Sequence, residues 1–554
     1  MRHRWSLRLG FRQLLILWAA GSAVAASRPL EAPVTAEQNS RSDCQPEQVH
    51  LALTGDPSQM RVSWRTDGEG CKGQLHYASI DAVPFRNGQL NQSMPADEST
   101  YTADDMCSLP AAGYDFDPPH LHSAIMTDLV PGERYQYWVG QHKPVFECQA
   151  ALAPGPDGSF SFVVYGDMGE ADHKAAKSPG ADKTAENVRR EVHGNGVDLV
   201  LHVGDISYAN GVVKIWDTFM RYIEPYASRA PYMIGIGNHE YDYKTGREKA
   251  HKHKHHTDAS GSEEPYDPDW GNYGNDSGGE CGVAVAKRFI MPDREADASE
   301  NRGPVPSNAP FWYSFEYGAA HFTVISTEHD FHKHSDQRKW LEADLAGVDR
   351  CVTPWLFVGM HRPMYVPYPH KSNRIVGRHL QDILEDLFLE REVDLVMTGH
   401  VHLYARTCSV RRDHCRKDDD GGITHVTVGC GGHKLSEIED DQKAWIAEAA
   451  SHHGYGRVTV ESGSSLLWEY VRNKDGRVHD SVRIGNSQLD RRRCNAAGAA
   501  VSALLQNQTA GLSQGLAALQ AVTAAQSASD NGALVLSAVR DGGRSEELEA
   551  VASA

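Results

Sequence analysis

The stretch Leu199-Val-Leu-His-Val-Gly-Asp-Ile-Ser-Tyr208 narrows the possible folds more than any other part of this chain. Its first five residues are mostly Leu and Val, the composition of a strand buried on both faces in a parallel sheet. The run ends in Gly204-Asp205, with a phenol three residues on at Tyr208. Open α/β sheets bind ligands just beyond the carboxyl ends of their strands, which places Asp205 and Tyr208 in a ligand site. The pattern repeats. Ser161-Phe-Val-Val-Tyr165 leads to Gly166-Asp167-Met168-Gly169, and Tyr232-Met-Ile-Gly-Ile236 to Gly237-Asn238-His239-Glu240. Trp355-Leu-Phe-Val358 leads to Gly359-Met360-His361, and Val393-Asp-Leu-Val-Met397 to Gly399-His400-Val401-His402.

Between the first three runs, 184–192 and 215–226 read as helices. Strand, helix, strand, helix, strand is the order of a parallel sheet with crossover helices. Phe311-Trp-Tyr-Ser-Phe315 and His321-Phe-Thr-Val-Ile325 read as a hairpin. A helix starts after Ser335, whose hydroxyl suits an N-cap. Leu380, Ile383, Leu384, Leu387 and Phe388 share one face of a further helix. Strand-like runs at 423–428, 456–460 and 465–471 are expected to complete a second sheet. Nearer the N-terminus, from Pro46, short alternating runs such as 60–65 and 134–139 predict a β-sandwich of about 100 residues.

The resulting plan is a leader over 1–25, a polar segment over 26–44, the β-sandwich over 45–150 and an α/β domain over 159–485. An Ala/Ser/Gln-rich tail of low complexity follows over 495–554, with no assigned function. An insertion over 244–280 carries His251, His253, His255 and His256. An accessory metal site or a substrate rim is one reading of it; composition favours a solvated loop.

The formal net charge is −19. That argues against a nucleic-acid binder, whose affinity rests on neutralising phosphates. An anionic substrate would need a local positive centre. Arg2, Arg4, Arg8 and Arg12, the apolar Leu14-Leu-Ile-Leu-Trp-Ala-Ala20 and the small Ala23-Val24-Ala25 read as a secretory signal. The apolar run is shorter than the roughly 20 residues that span a bilayer, so no stable membrane anchor is expected. Ten cysteines on such a route predict disulfides. Cys408 and Cys415, either side of a polar loop, are the best local pair. Sequons at Asn91, Asn275 and Asn507 predict a glycoprotein, secreted or vacuolar.

The strand ends collect Asp167, Asp205, Tyr208, Asn238, His239, His361, His400 and His402. Singly, each has an ordinary role; an Asp after a strand is often a helix cap. Recurrence after consecutive strands of one sheet is what would bring them to one place. Oxygen and imidazole ligands suit borderline and hard ions such as zinc, manganese and iron. No thiolate stands among them, against an iron–sulfur site. Two neighbouring cations need a shared anion, and the carboxylate of Asp205 can bridge both. Such a pair clamps a phosphoryl group, acidifies water and offsets charge on the leaving oxygen.

Taken together, the five blocks ending in Gly169, Tyr208, Glu240, His361 and His402 resemble the metal-binding blocks of the metallophosphoesterase superfamily, most closely those of the purple acid phosphatases. Many members of that superfamily carry Asp-x-His in the first block. Here Gly169 takes the place of that His, and Tyr208 appears in the second block. The paired change marks the purple acid phosphatases. Pro46-Glu-Gln-Val-His50 and the β-rich region after it resemble the N-terminal domain of the large plant-type enzymes. Glu280-Cys281-Gly282, His361-Arg-Pro-Met-Tyr365 and Val478-His479-Asp480 resemble a plant and algal subgroup.

The resemblance implies an α/β metallophosphoesterase core, two mixed sheets flanked by helices in an α/β/β/α sandwich, preceded by a fibronectin- or immunoglobulin-like β-sandwich. It implies iron(III) bound by Asp167, Asp205, Tyr208 and His402, and a divalent zinc, manganese or iron ion bound by Asp205, Asn238, His361 and His400. His239 would contact the substrate phosphate or the leaving group. The implied activity is acid phosphatase hydrolysis of phosphate monoesters by a metal-activated hydroxide. Well-known plant relatives carry adjacent histidines nine and ten residues after the equivalent of His361; here those places hold His370 and Lys371. His370 is either the general acid or a solvated loop residue. A diesterase, nucleotide pyrophosphatase or phytase using the same metals remains an alternative, as does a weakly active metal-binding surface protein. The oligomeric state is open, a homodimer included.

Overall fold

Two mixed sheets face one another in the C-terminal part of the chain. The computed structural model describes residues 44–80, 92–140, 144–170, 177–241, 276–293, 306–365, 371–417, 421–438 and 443–486. The leader, the three sequons, the histidine tract, His370 and the tail lie outside the described residues. The first sheet has the order Tyr232–Gly235, Leu199–Val203, Phe160–Tyr165, Gly454–Ser462, Ser465–Arg472, Val478–Gly485. Its first three strands are parallel and the remainder antiparallel. The second has the order Tyr313–Tyr317, Ala320–Val324, Trp355–Gly359, Leu395–Thr398, Thr424–Val428, Tyr404–Thr407, Ile446–Ala450. Its four strands from Ala320–Val324 to Thr424–Val428 are parallel.

Every residue of Leu199–Val203, Tyr232–Gly235, Trp355–Gly359 and Leu395–Thr398 is buried. Their continuous apolar runs are the mark of strands covered on both faces. Between the sheets, Phe162 meets Phe322 edge-on with centroids 5.2 Å apart and lies 5.8 Å from Phe357, an arrangement favoured by the ring quadrupoles. Helix Val213–Ala227 packs on the first sheet, where the Tyr226 hydroxyl bonds that of Tyr165 at 3.0 Å. Helix Asp336–Gly347 covers the second, with Asp344 accepting from Ser314 and Thr323. Ser335 caps that helix, its hydroxyl accepting from the Arg338 N–H at 3.1 Å. The architecture is the α/β/β/α sandwich.

Residues 47–149 form two four-stranded antiparallel sheets. All described residues belong to one compact unit, and the contacts joining this β-rich part to the core are polar and buried. Arg288 donates to Tyr101 and Gln48 on one side and to Asp217 on the other, at 2.8–3.0 Å. Cys107–Cys281 bridges the same boundary.

Three expectations need correction. The strand-like runs do not complete one sheet: Thr424–Val428 joins the second, whereas Gly454–Ser462 and Ser465–Arg472 join the first. The strand-end residues therefore come from both sheets, Asp167, Asp205 and Asn238 from the first and His361, His400 and His402 from the second. Periodicity reports whether a strand is buried, while its neighbours are chosen by long-range hydrogen bonds. The helix expected over 184–192 starts at Ala181 and runs into a π-helical turn, Glu191–Asn195, closed by Gly196 at φ +68°. Of the ten cysteines, Cys148 and Cys430 are buried free thiols. Cys44–Cys71 and Cys408–Cys415 are bonded, as is Cys351.

Candidate metal centre

Asp167 and Asp205 occupy the second positions after two adjacent parallel strands, each behind a glycine, and their backbones are unusual. Asp167, Asp205, Tyr208 and His400 all have φ between +51° and +65°. Non-glycine residues rarely adopt that region, and clustered outliers mark sites where surrounding structure overrides local preference. Glycines make the close approach possible. A Cβ on Gly399 would lie 2.5 Å from Asp167 Oδ2, and one on Gly204, at φ +87°, 2.5 Å from His361 Nδ1.

The side chains converge on Asp205. Its Oδ2 lies 3.2 Å from His361 Nε2 and 3.2 Å from the Tyr208 hydroxyl. Its Oδ1 accepts the His239 N–H at 3.0 Å. Asp167 Oδ1 lies 3.1 Å from the Tyr208 hydroxyl and 3.2 Å from His402 Nε2, while its Oδ2 accepts the His400 N–H at 2.7 Å. Asn238 Oδ1 lies 3.2 Å from His361 Nε2 and 3.0 Å from His400 Nδ1. Two sets of ligand atoms thus lie within 4.8 Å of one another, Asp205, His361 and His400 in one and Asp167, Asp205 and His402 in the other. Asp205 is common to both.

The donor set fits two cations. His361 Nδ1 lies 3.0 Å from the Val203 carbonyl and His402 Nδ1 2.8 Å from the Lys434 carbonyl. A carbonyl only accepts, so each ring carries its proton on Nδ1 and turns Nε2 toward a carboxylate oxygen. Lone pair then faces lone pair, and each contact calls for a shared cation or a second ring proton. Burial pushes the Asp167 carboxyl above its usual range. Burial would do the same to Asp205, but the His361 and His239 rings outweigh it and hold that carboxyl well below. Burial works against charge on His361, yet Asp205 raises the ring to about 10. Burial, then the two carboxylates, push the Tyr208 phenol well above its usual value. A cation among these oxygens reverses that field, so phenolate here requires a bound metal.

Three comparisons with known proteins follow this geometry. Residues 46–150 match the family described as purple acid phosphatase, N-terminal domain; residues 160–404 match calcineurin-like phosphoesterase; residues 422–481 match iron/zinc purple acid phosphatase-like protein C. The chain is 32% identical over 478 residues to "Probable inactive purple acid phosphatase 27" of Arabidopsis thaliana, covering 80% of this chain and 70% of that protein. The chain belongs to the purple acid phosphatase family. It is also 30% identical to "Nucleotide pyrophosphatase/phosphodiesterase" of Hordeum vulgare over 62% of this chain and 88% of that one. The solved purple acid phosphatase PPD1 from yellow lupin (Lupinus luteus) seeds superposes with a TM-score of 0.66 at 28% identity, covering 79% and 74% of the two chains.

Several residues outside the expected set shape this purple acid phosphatase site. Glu240 is buried and accepts from the backbone N–H groups of Asp205, Ile206 and Gly237 at 2.7–2.9 Å, clamping two strand-end loops together. Asn210 Oδ1 holds His239 Nδ1 at 2.8 Å. His433 stacks on Tyr208 at 4.0 Å, and His239 lies tilted against the same side chain at 4.2 Å. It follows Thr424–Val428 through Gly429-Cys430-Gly431-Gly432, so the strand-then-glycine signal marks it as well. Buried Arg362 is fixed by Glu328 at 2.7 and 3.0 Å, and its Nη1 lies 3.2 Å from His400 Nε2. Asp276 accepts from Asn238 Nδ2 at 2.9 Å, and Ser277 and Glu280 are buried. Of the expected insertion only residues 276–280 are described: Asp276 is exposed, and 277–280 are buried.

Proposed function

We propose that this chain hydrolyses phosphate monoesters at a dinuclear centre and that Asp205 is shared by both ions. Asp167, Asp205, Tyr208 and His402 would hold iron(III), and Asp205, Asn238, His361 and His400 a divalent zinc, manganese or iron ion. The overlap of the two ligand sets at one buried carboxylate carries the reading. Such a pair, when bound, supplies Lewis acidity for a phosphoryl oxygen and activates water at low pH. The chain's own groups do the rest. Asn210 Oδ1 accepts from His239 Nδ1 and turns its Nε2 toward the centre, 3.9 Å from Asp205 Oδ2, where the doubly protonated ring would donate a hydrogen bond to a phosphate oxygen. Glu240 holds the Asp205 and Asn238 loops in register, and the Val203 and Lys434 carbonyls fix the rings of His361 and His402. His370, the candidate general acid, lies outside the described residues. The disulfides support a route through an oxidising compartment, secreted or vacuolar.

Asp205→Asn tests this directly. With a generic aryl phosphate, turnover should fall by at least about three orders of magnitude, on the scale of losing one member of a catalytic unit; unchanged turnover would reject the reading. A second reading, a metal-binding protein with weak turnover, draws on the relative named probable inactive and on Arg362, a cation beside His400. Metal analysis alongside the assay separates the two, since two bound metals without turnover favours the second. The diesterase alternative draws on the barley relative's name, and hydrolysis of an aryl phosphodiester faster than the monoester would select it.

A further inference from the structure

Helix Lys371–Leu380 joins the metal centre to a cavity that the reaction has not yet used. Asn373 Oδ1 lies 3.3 Å from His400 Nε2. Within the next turn, Arg374, Ile375 and Arg378 line a cavity of about 740 Å³, a size typical of small-molecule sites. Met364, three residues beyond His361, lines it too, as do Lys443 and Trp445. The lining has two characters. Met364, Ile375 and Trp445 offer apolar surface; Ile375 is 38% exposed, and Trp445 is braced edge-on by Tyr365 at 5.1 Å. Arg374, Arg378 and Lys443 offer positive charge on a chain whose net charge is −19. Arg378 is committed to Asp413 at 3.0 Å and stands 3.5 Å from Asp382, both also in the lining. Arg374 and Lys443 are exposed, and their side chains have no hydrogen-bond or ion-pair partner among the described residues.

A single solvated arginine is ordinary. Two cations without a partner among the described residues, over an apolar floor and with Arg374 one residue along from the Asn373 contact with His400, form a place for an organic anion. We propose that this cavity is a second anion subsite, which takes the leaving group of phosphate esters bearing a second phosphate. Arg374 and Lys443 hold that distal phosphate, and the organic linker lies on Met364, Ile375 and Trp445. Asp382 and Asp413 repel an anion from the Arg378 end and direct it toward Arg374. The subsite rests on the phosphoesterase reading, so its test must not depend on turnover.

Calorimetric titration of the full-length, metal-loaded protein with hexane-1,6-bisphosphonate and with hexylphosphonate provides that test, because neither probe is hydrolysed. The bisphosphonate should bind about tenfold more tightly, the worth of one added charge-assisted hydrogen bond. R374A/K443A should erase the difference and leave hexylphosphonate affinity unchanged. Equal affinities in the unaltered protein, or a difference that survives the double substitution, would overturn the subsite. Aryl phosphate turnover on the same preparations reports separately. A protein without turnover that still prefers the bisphosphonate loses only the catalytic reading; an active one without the preference loses only the subsite.

Discussion

Tyr208 shows how one side chain can serve packing and chemistry together. Its ring packs against His433 at 4.0 Å and His239 at 4.2 Å, while its hydroxyl reaches Asp167, Asp205 and His402 within 3.2 Å. Phenylalanine would keep the ring contacts and remove the oxygen. Tyr208→Phe should therefore abolish visible absorption from a phenolate–iron(III) contact while leaving the thermal midpoint within a few degrees of the parent. Absorption spectra taken with metal analysis check this. An unaltered band in the variant would assign the colour to another ligand and leave Tyr208 as packing. Glu240 teaches the converse at the same scale. It touches no candidate metal-binding atom, yet three backbone N–H groups depend on it.

Among the elements, the contact between strand Ala320–Val324 and helix Asp336–Gly347 carries a charge. His321 Nε2 lies 3.2 Å from Asp344 Oδ2, with Glu316 3.7 Å from its other nitrogen. Burial opposes charge on His321, but Asp344 and then Glu316 raise the ring to about 9. The folded value exceeds the unfolded value of about 6.5, so the pair's contribution is fully present below that pH and is lost as pH rises through about 9. Stability measured by denaturant should fall by up to about 3 kcal/mol between pH 6.5 and 9.5. His321→Gln should flatten that limb. The Asp344 carboxyl, depressed against the pull of burial by His321, contributes with the opposite sign, and its share is lost in acid. Below about pH 6.5 the His321 contribution is fully present.

For the whole molecule, the joint between the β-rich N-terminal part and the core is the point of leverage. Arg288, 2% exposed, spans it with three hydrogen bonds. Removing one partner of a buried ion pair leaves the other charge uncompensated, at a cost of about 3–5 kcal/mol; Asp217 keeps some exposure, which favours the lower end. Arg288→Met should lower the thermal midpoint by several degrees with the metal content unchanged, and calorimetric unfolding would show it. An unshifted midpoint would mean that Cys107–Cys281 and the apolar contacts hold the joint without it.

Which strands are buried, and which polar residues end them, is legible in the residue order, because burial on both faces demands an unbroken apolar run and a ligand residue interrupts it visibly. The family resemblance is legible there too, through Gly169 and Tyr208 read as a pair. That the strand ends belong to two facing sheets emerges from long-range strand pairing, since periodicity carries no information on which strands are neighbours. The same limit hid Glu240, Asn210, Arg362 and Asp276. Their roles are contacts between segments up to 38 residues apart, as with Asn238 and Asp276, and no local pattern encodes a contact of that kind. Chain closure brings them together, and the lone pairs and N–H groups left facing one another then define the site.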